Sequence, residues 1–451
     1  MTAVFDEAVL KRLREREERA FALRTVRSAA LRRRAAAHLP NGVPMAWMAG
    51  LYPLGPVYAA SGSGPRFLDV DGNEYLDFNV CDLSMCAGFG PKAVVEAVAR
   101  QVAAGAHFLL PTEQAIEVAE ELARRVGLPS WQMTLSATGA NTEVLRLARL
   151  ATGRTRLVIF GGHYHGHLDE TLVRLVDGAL VPEGEGLPRA AAKDTRILPF
   201  NDLGALEAEL KGGEVALVLT EPALTNCNVV LPEPGFLAGV RALTRRHGTL
   251  LALDEAHTFQ FAYGGLTRAW NLEADFVVLG KGLGTGISFA FYGMTEPLAA
   301  LFASHLAVDG GPPGLAVGGT TYASAVAVAA AHAALHELLR ESDYARIAAL
   351  GRRLADGLEA HFKACGLDWR AFRLGPRSGY CLAPELPVNG AEAARSLDTR
   401  FIELRRLYLA NRGIWDAVQS AGPQVSLAHV PEDIERYLAR AGEFLAEISS
   451  G

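Results

Sequence analysis

Between residues 130 and 295 seven short apolar runs recur: "WQMTL", "RLVIF", "RILPF", "VALVLT", "LLALD", "DFVVLG" and "FAFYGM". Helical patterns occupy most of the intervals. The runs are too short for stable helices and are mostly apolar, so they read as strands of a sheet covered on both faces. Strands alternating with helices predict an α/β fold, with a mostly parallel seven-stranded central sheet and helices on both sides. Such a sheet binds its ligands at the carboxyl ends of its strands. The chemistry of this chain should therefore stand just after those runs.

The flanking sequence is organised differently. Residues 7–38 read as a helix in which Arg, Lys and Glu interleave. Its basic "LRRR" follows Glu15, Glu17 and Glu18, as on a solvated or packed helix rather than a nucleic-acid arm. "RFLDVDGNEYLDF", residues 66–78, alternates about Asp71-Gly72 and predicts a hairpin. Residues 91–126 are helical, with breakers at Gly105 and Pro111. Residues 324–363 are Ala-rich and helical, and "FRLGPRSGYCLA" (372–383) begins a smaller α+β part. The expected division is an N-terminal segment (1–85) packing with the small domain, a large ligand-binding domain (86–325) and a C-terminal small domain (326–451).

Composition narrows the partners. A net charge of −6 offers nothing to a polyanion. Five scattered cysteines form no C-x-x-C pair, which argues against a disulfide framework and a zinc ribbon and fits a reducing cytoplasm. The opening "MTAVFDEAVLKRLREREERAF" lacks the apolar centre of a signal peptide, and no run of 18 apolar residues suggests a membrane span. The expectation is a cytoplasmic protein with no membrane or nucleic-acid partner.

Four strand ends carry unusual residues. "SATGANTEVLRLAR" (136–149) follows the first run, and Ser136 and Thr138 stand beside the free N–H groups of a starting helix. That arrangement suits a phosphate, and equally an ordinary Ser/Thr cap. "GGHYHGHLDE" (161–170) alternates His163, His165 and His167. A metal site there needs further ligands at later strand ends, where only His257 is a histidine, so no metal is expected. The glycines instead leave room for Tyr164 to lie against something planar. "DEAHTF" (254–259) also resembles the magnesium-binding strand of a helicase, but no G-x-x-x-x-G-K-[ST] loop exists upstream.

The fourth end is "VVLGKGLGTG" (277–286), where Lys281 stands between two glycines. A lysine at the rim of a buried strand is costly unless it is paired, solvated or chemically used. Burial disfavours the ammonium, and a neutral amine can form a Schiff base with an aldehyde. A phosphate cradle, a flat aromatic, a carboxylate and this lysine suit one ligand: pyridoxal phosphate. Asp254 would keep the pyridine nitrogen protonated, and Lys281 would hold the aldehyde and shuttle a proton.

Over nearly the whole chain these segments resemble the class III aminotransferases, fold-type I pyridoxal-phosphate enzymes, and within them the glutamate-1-semialdehyde aminomutase branch. The resemblance is carried by "DVDGNEYLDF", "SATGANTEVLRLARLATGR", "FGGHYHGHLDE", "TEP", "LPEPGFLAGVRALTRRHGTLLALDEAHT", "DFVVLGKGLGTGI", "GGTTYAS" and "VSLAHVPEDIERYL". It implies that Lys281 forms the Schiff base and Asp254 pairs with the ring nitrogen. It places Tyr164 on one ring face and Ala256 on the other, with Ser136, Ala137 and Thr138 on the phosphate. Asn226 matches a residue near the phenolic oxygen, with Glu221 supporting it. Thr320 matches a contact to the phosphate of a neighbouring subunit, which implies a homodimer with its active site at the subunit interface.

Departures bear on the substrate. Ala46 stands where the aminomutase has a carboxylate-binding arginine, and Ala421 where it has a glutamate. Met45, Trp47, Met48 and Leu51 suggest a more apolar pocket. Asp82 occupies a position that often holds a substrate-facing aromatic and could meet a cationic amine. Arg268, Arg377 and Arg412 are the candidates for a carboxylate partner. The expected activity is an aminotransferase, taking an amino group from an amine or amino acid to a keto acid, ketone or aldehyde. The alternative is an isomerase, an aminomutase or racemase that uses the same residues.

Overall fold

The computed structural model describes residues 6–52, 54–306, 311, 313–417 and 422–449. It divides into two compact units: Lys92–Tyr344 with Pro387–Ala394, and Met1–Pro91 with Ala345–Leu386 and Arg395–Gly451.

The first unit is built on the seven apolar runs. They form β1 (Ser130–Thr134), β2 (Arg156–Phe160), β3 (Thr195–Leu198), β4 (Val215–Thr220), β5 (Leu250–Asp254), β6 (Phe276–Leu279) and β7 (Ala290–Met294). All seven join one sheet in the order β1-β7-β6-β5-β4-β2-β3. Pairing is parallel from β6 through β5, β4 and β2 to β3, and β7 alone runs antiparallel, against both β6 and β1. The carboxyl ends of the other six strands therefore share one edge. Strands β4, β6 and β7 are buried at every residue, as a sheet covered on both faces requires. The helix Ala137–Thr152 lays Val144, Leu145 and Ala148 against a core that includes Leu217, Ala252, Phe276 and Tyr292.

Inside that core the Glu143 carboxylate accepts from the Tyr292 hydroxyl at 2.9 Å and from the Gly318 N–H at 2.7 Å. It ties the segment leading to Thr320 to the sheet. The Ala-rich stretch does not form one helix. Ala325–Ala333 passes into a wide turn at Ala334–Leu338, and a new helix, Glu341–Ala364, follows. Arg125 supplies the reason: its buried guanidinium donates to the Leu335 carbonyl and, at 2.8 Å, to that of Leu339, taking carbonyls that a continuing helix would have used.

The second unit also breaks a predicted helix in two. Glu7–Arg24 ends at Thr25, and Val26–Ala35 follows. The hairpin turn causes the restart, because Asp71 accepts from Arg27 N at 2.6 Å, Ser28 N at 2.9 Å and Ser28 Oγ at 2.7 Å. The hairpin itself pairs Arg66–Asp69 with Glu74–Asp77. Its Phe67 and Tyr75 pack with Phe21, Tyr52 and Trp415 in an aromatic core. A second hairpin joins Arg370–Leu374 to Arg377–Cys381. Beside it Arg405 and Asp416 form a buried ion pair at 2.7 Å, and Tyr437 donates to the other Asp416 oxygen at 3.1 Å.

Directly after the first hairpin, Val80, Cys81, Asp82 and Leu83 all take positive φ, from 48° to 69°. L-residues form such a left-handed turn at a cost of about 1–2 kcal/mol each. Asp77 holds its entrance: Oδ1 accepts from Asn79 N at 2.9 Å and Val80 N at 3.0 Å. Burial outweighs these bonds and pushes the Asp77 carboxyl up to about 7. An unfolded aspartate titrates near ~4. Between about pH 4 and 7 the folded chain thus holds a proton that the unfolded chain has released, so this group's contribution to stability is lost as pH rises through 7. Asp77→Asn should flatten that part of the pH dependence of the thermal midpoint. An unchanged slope between pH 5 and 8 would show that Asp77 does not generate it.

Candidate active site

The strand-end edge of the first unit gathers the residues picked out in the sequence. Ser136 caps the helix Ala137–Thr152, its Oγ accepting from Gly139 N at 3.3 Å, and the amides of this first turn face forward. Thr138 Oγ1 accepts from the His167 N–H at 3.2 Å, which draws the loop after β2 onto the helix start. Gly166 allows the approach. Its φ is +89°, and a β-carbon there would lie 2.1 Å from Thr138 Oγ1.

At the end of β5 the buried Asp254 carboxylate accepts three hydrogen bonds. Oδ1 takes the Ala256 N–H at 3.0 Å, and Oδ2 takes Asn141 Nδ2 at 2.7 Å and His165 Nδ1 at 2.9 Å. A carboxylate has about four acceptor positions, so the set leaves room for one further donor. Asn141 also donates to the His165 carbonyl at 3.1 Å. Neither Asn141 nor His165 is among the cofactor residues expected from the sequence. For Asn141 the available signal is a polar side chain on the buried face of the helix, beside Ala140, Val144 and Leu145.

The three histidines do not converge on a metal. His165 faces Asp254, His163 spans the Phe160 and Thr171 carbonyls at 2.8 and 3.0 Å, and His167 is exposed. Among the described residues no group of three His, Cys, Asp or Glu side chains is arranged to hold an ion. Glu255, the next letter of the helicase-like string, has a structural task. It accepts from Thr258 Oγ1 and from the N–H groups of Leu266 and Thr267, each within 2.9 Å.

Lys281 follows β6 on a short turn, Lys281–Gly284, with φ +33°. Gly280 makes this turn meet its neighbours. A β-carbon there would lie 3.2 Å from Ala137 Cβ and 3.7 Å from Ala256 Cβ. One glycine thus brings the lysine's strand end against the helix start and against the residue that follows Asp254. Tyr164 is 42% exposed, as a side chain offered to a ring would be, and its backbone N–H donates to Glu221 Oε1 at 3.3 Å. Glu221 is buried at the end of β4, and burial raises its pKa. Asn226 follows on the same loop, one residue after Thr225, whose N–H and hydroxyl both donate to Glu221. Thr320 lies exposed beyond the Gly318 tether.

Trp47 and Asp82 belong to the second unit. Trp47 is 50% exposed on the short turn Ala46–Gly50, and Asp82 is partly exposed on the left-handed turn. Ala421 lies outside the described residues. All three candidate arginines are taken up within the fold. Arg268 lies over Tyr263 and donates to the Arg124 and Arg125 carbonyls, and Arg412 pairs with Glu17 over the Tyr408 ring. Arg377 is fully buried in the second hairpin.

The edge fits pyridoxal phosphate on its own geometry. The capped helix start offers N–H groups that a phosphate would take, Asp254 keeps an acceptor position that a protonated ring nitrogen would fill, and Gly280, next to Lys281, packs against both Ala137 and Ala256. Comparison with known proteins agrees. Residues 53–366 match the family model described as Aminotransferase class-III. A glutamate-1-semialdehyde 2,1-aminomutase of Brevibacillus brevis is 35% identical over 390 residues, covering 84% of this chain and 89% of that protein. The crystal structure of a glutamate-1-semialdehyde-aminomutase from Pseudomonas aeruginosa PAO1 superposes with a TM-score of 0.94 at 37% identity, covering 98% of this chain and 99% of that one. An ω-transaminase from Sphaerobacter thermophilus follows at TM-score 0.86 and 29% identity, with 94% and 98% covered. A fold-type I sheet with Lys281 and Asp254 at adjacent strand ends, together with the family match over residues 53–366 and the 35% identical relative, places this chain in the class-III aminotransferase family, whose cofactor is pyridoxal phosphate.

Proposed function

We propose that this protein moves an amino group between neighbouring carbons of one small molecule, as a glutamate-1-semialdehyde aminomutase does. One observation carries the reading. The relatives at 35% and 37% identity both bear the aminomutase name, and the structure at TM-score 0.94 stands above the transaminase at 0.86. This reverses the preference, drawn from Ala46 and Ala421, for transfer between two molecules.

Bound pyridoxal phosphate withdraws electrons from the carbon that carries the amino group and so acidifies its C–H. The chain's residues then divide the work. Lys281 Nζ holds the cofactor aldehyde at rest and, once released, carries the proton between carbons. Asp254, steadied by Asn141 and His165, keeps the ring nitrogen protonated. Ser136, Ala137 and Thr138 hold the phosphate, Tyr164 and Ala256 cover the ring faces, and Asn226 meets the phenolic oxygen. Trp47 and Asp82 are proposed substrate contacts. Intermolecular amino transfer is the second reading, because an alanine at position 46 offers no cation to a substrate carboxylate.

With glutamate 1-semialdehyde as sole substrate, the holoenzyme should form the isomer with the amino group on the adjacent carbon, with no added amine or keto acid. Lys281→Ala should slow this by about 10³-fold. Product that appears only when a keto acid is supplied would overturn the aminomutase reading in favour of the transaminase.

The proposed assembly is a cytoplasmic homodimer in which Thr320 serves the partner's phosphate. Its support is apolar surface in the first unit. Leu109 and Leu110 are 69% and 72% exposed, near a groove of about 650 Å³ lined by Ile116, Trp131, Phe302 and Tyr322. Paired Leu109→Asp and Leu110→Asp substitutions should lower the mass measured by light scattering from dimer to monomer and weaken cofactor binding. A wild-type monomer that binds the cofactor fully would contradict the dimeric site.

A further inference from the structure

Three loops present the ring contacts assigned above: one after β2 with Tyr164, one after β4 with Asn226, and one after β5 with Ala256. A single hydrogen-bonded chain links all three. The Tyr164 N–H donates to Glu221 Oε1 at 3.3 Å. The Thr225 N–H donates to Glu221 Oε2 at 3.0 Å, and the Thr225 hydroxyl shares a short bond with the same oxygen. That hydroxyl also lies 2.8 Å from His257 Nδ1. All three side chains are buried, with exposures of 3% for Glu221, 1% for Thr225 and 7% for His257.

A hydroxyl has one proton to give, and this fixes the sense of the chain. When Glu221 is ionised, Thr225 donates to it, so Thr225 Oγ1 must accept from His257 and the histidine proton sits on Nδ1. When Glu221 carries a proton on Oε2, that proton is donated to Thr225 Oγ1, and the Thr225 hydroxyl turns to His257 Nδ1. The histidine proton then sits on Nε2. The state of a carboxyl at the end of β4 is thereby expressed in the tautomer of a side chain beyond β5. His165 and Asp254 add their fields at Glu221, the first favouring its ionised form and the second opposing it.

We infer that His257 is a positioning residue of the cofactor site, acting through the Thr225 hydroxyl and the Glu221 carboxylate to hold the Tyr164, Asn226 and Ala256 loops in register. The inference rests on the ring contacts proposed above. Removing His257 or the Thr225 hydroxyl takes a hydrogen bond out of a buried network, and the loops lose a shared restraint.

The test is a double-mutant cycle on cofactor affinity, read by titrating apoprotein with pyridoxal phosphate and following visible absorbance and circular dichroism. Thr225→Val and His257→Phe should each weaken binding by about tenfold, the loss of one hydrogen bond of ~1.4 kcal/mol. Because His257 acts through Thr225, the double variant should be no weaker than Thr225→Val alone. Thr225→Ser, which keeps the hydroxyl, should restore both affinity and the wild-type circular dichroism. Multiplying effects, or a Thr225→Val variant with wild-type affinity and spectrum, would overturn the inference. If Thr225→Val does not fold, His257→Phe compared with His257→Asn decides: the amide can still donate to Thr225, so it should lose less than the phenyl, and equal losses would overturn the inference. A wild-type protein without Lys281-dependent absorbance would instead contradict the cofactor site itself.

Discussion

A sheet buried on both faces has no room for chemistry along its strands, and this constraint shapes the rest of the molecule. Unpaired charge within β4, β6 or β7 would be stranded in apolar surroundings. Polar function is therefore confined to the strand ends, and parallel pairing brings those ends to one edge. Residues far apart in sequence, from Ser136 to Lys281, converge there because consecutive strands reach the same rim. Small residues let the rim close. A β-carbon at Gly166 would collide with Thr138, and one at Gly280 would press tightly on Ala137.

Two buried carboxylates share this edge and are treated differently. Asp254 is surrounded by donors from three elements, the helix after β1, the loop after β2 and its own turn, which orient it and leave an acceptor position open. Glu221 is bonded to two loops, and burial raises its pKa. The first is suited to face a cation. The second is suited to tie loops together. In both cases hydrogen bonds offset part of the cost of burying a polar group, so their neighbours matter to the site as much as the carboxylates do.

The strands were legible because a two-sided buried strand must be apolar and short, and all seven runs entered the sheet within a residue or two of their limits. The strand-end residues were legible because Lys281 and Asp254 are expensive where they stand. Less legible were breaks imposed from a distance. Nothing within residues 7–38 announces the restart at Val26, since its cap, Asp71, comes from the hairpin. Arg125 likewise ends the Ala-rich helix from another element. His165 read as a metal candidate because alternation was its only visible feature, whereas its partner lies 89 residues away. The Thr225–His257 link was hidden for the same reason: neither residue is unusual until β4 and β5 stand side by side. Amino transfer within one molecule or between two turns on a few substrate contacts, while the strand-end framework is common to both.

The claim on which everything else depends is that Lys281 carries the cofactor. Reducing the holoenzyme with borohydride fixes any lysine–pyridoxal bond, and peptide mass spectrometry then locates it. A phosphopyridoxyl group is expected on the peptide containing Lys281, with none elsewhere and none after Lys281→Ala. A modified lysine at another position, or no modification in protein saturated with pyridoxal phosphate, would contradict it.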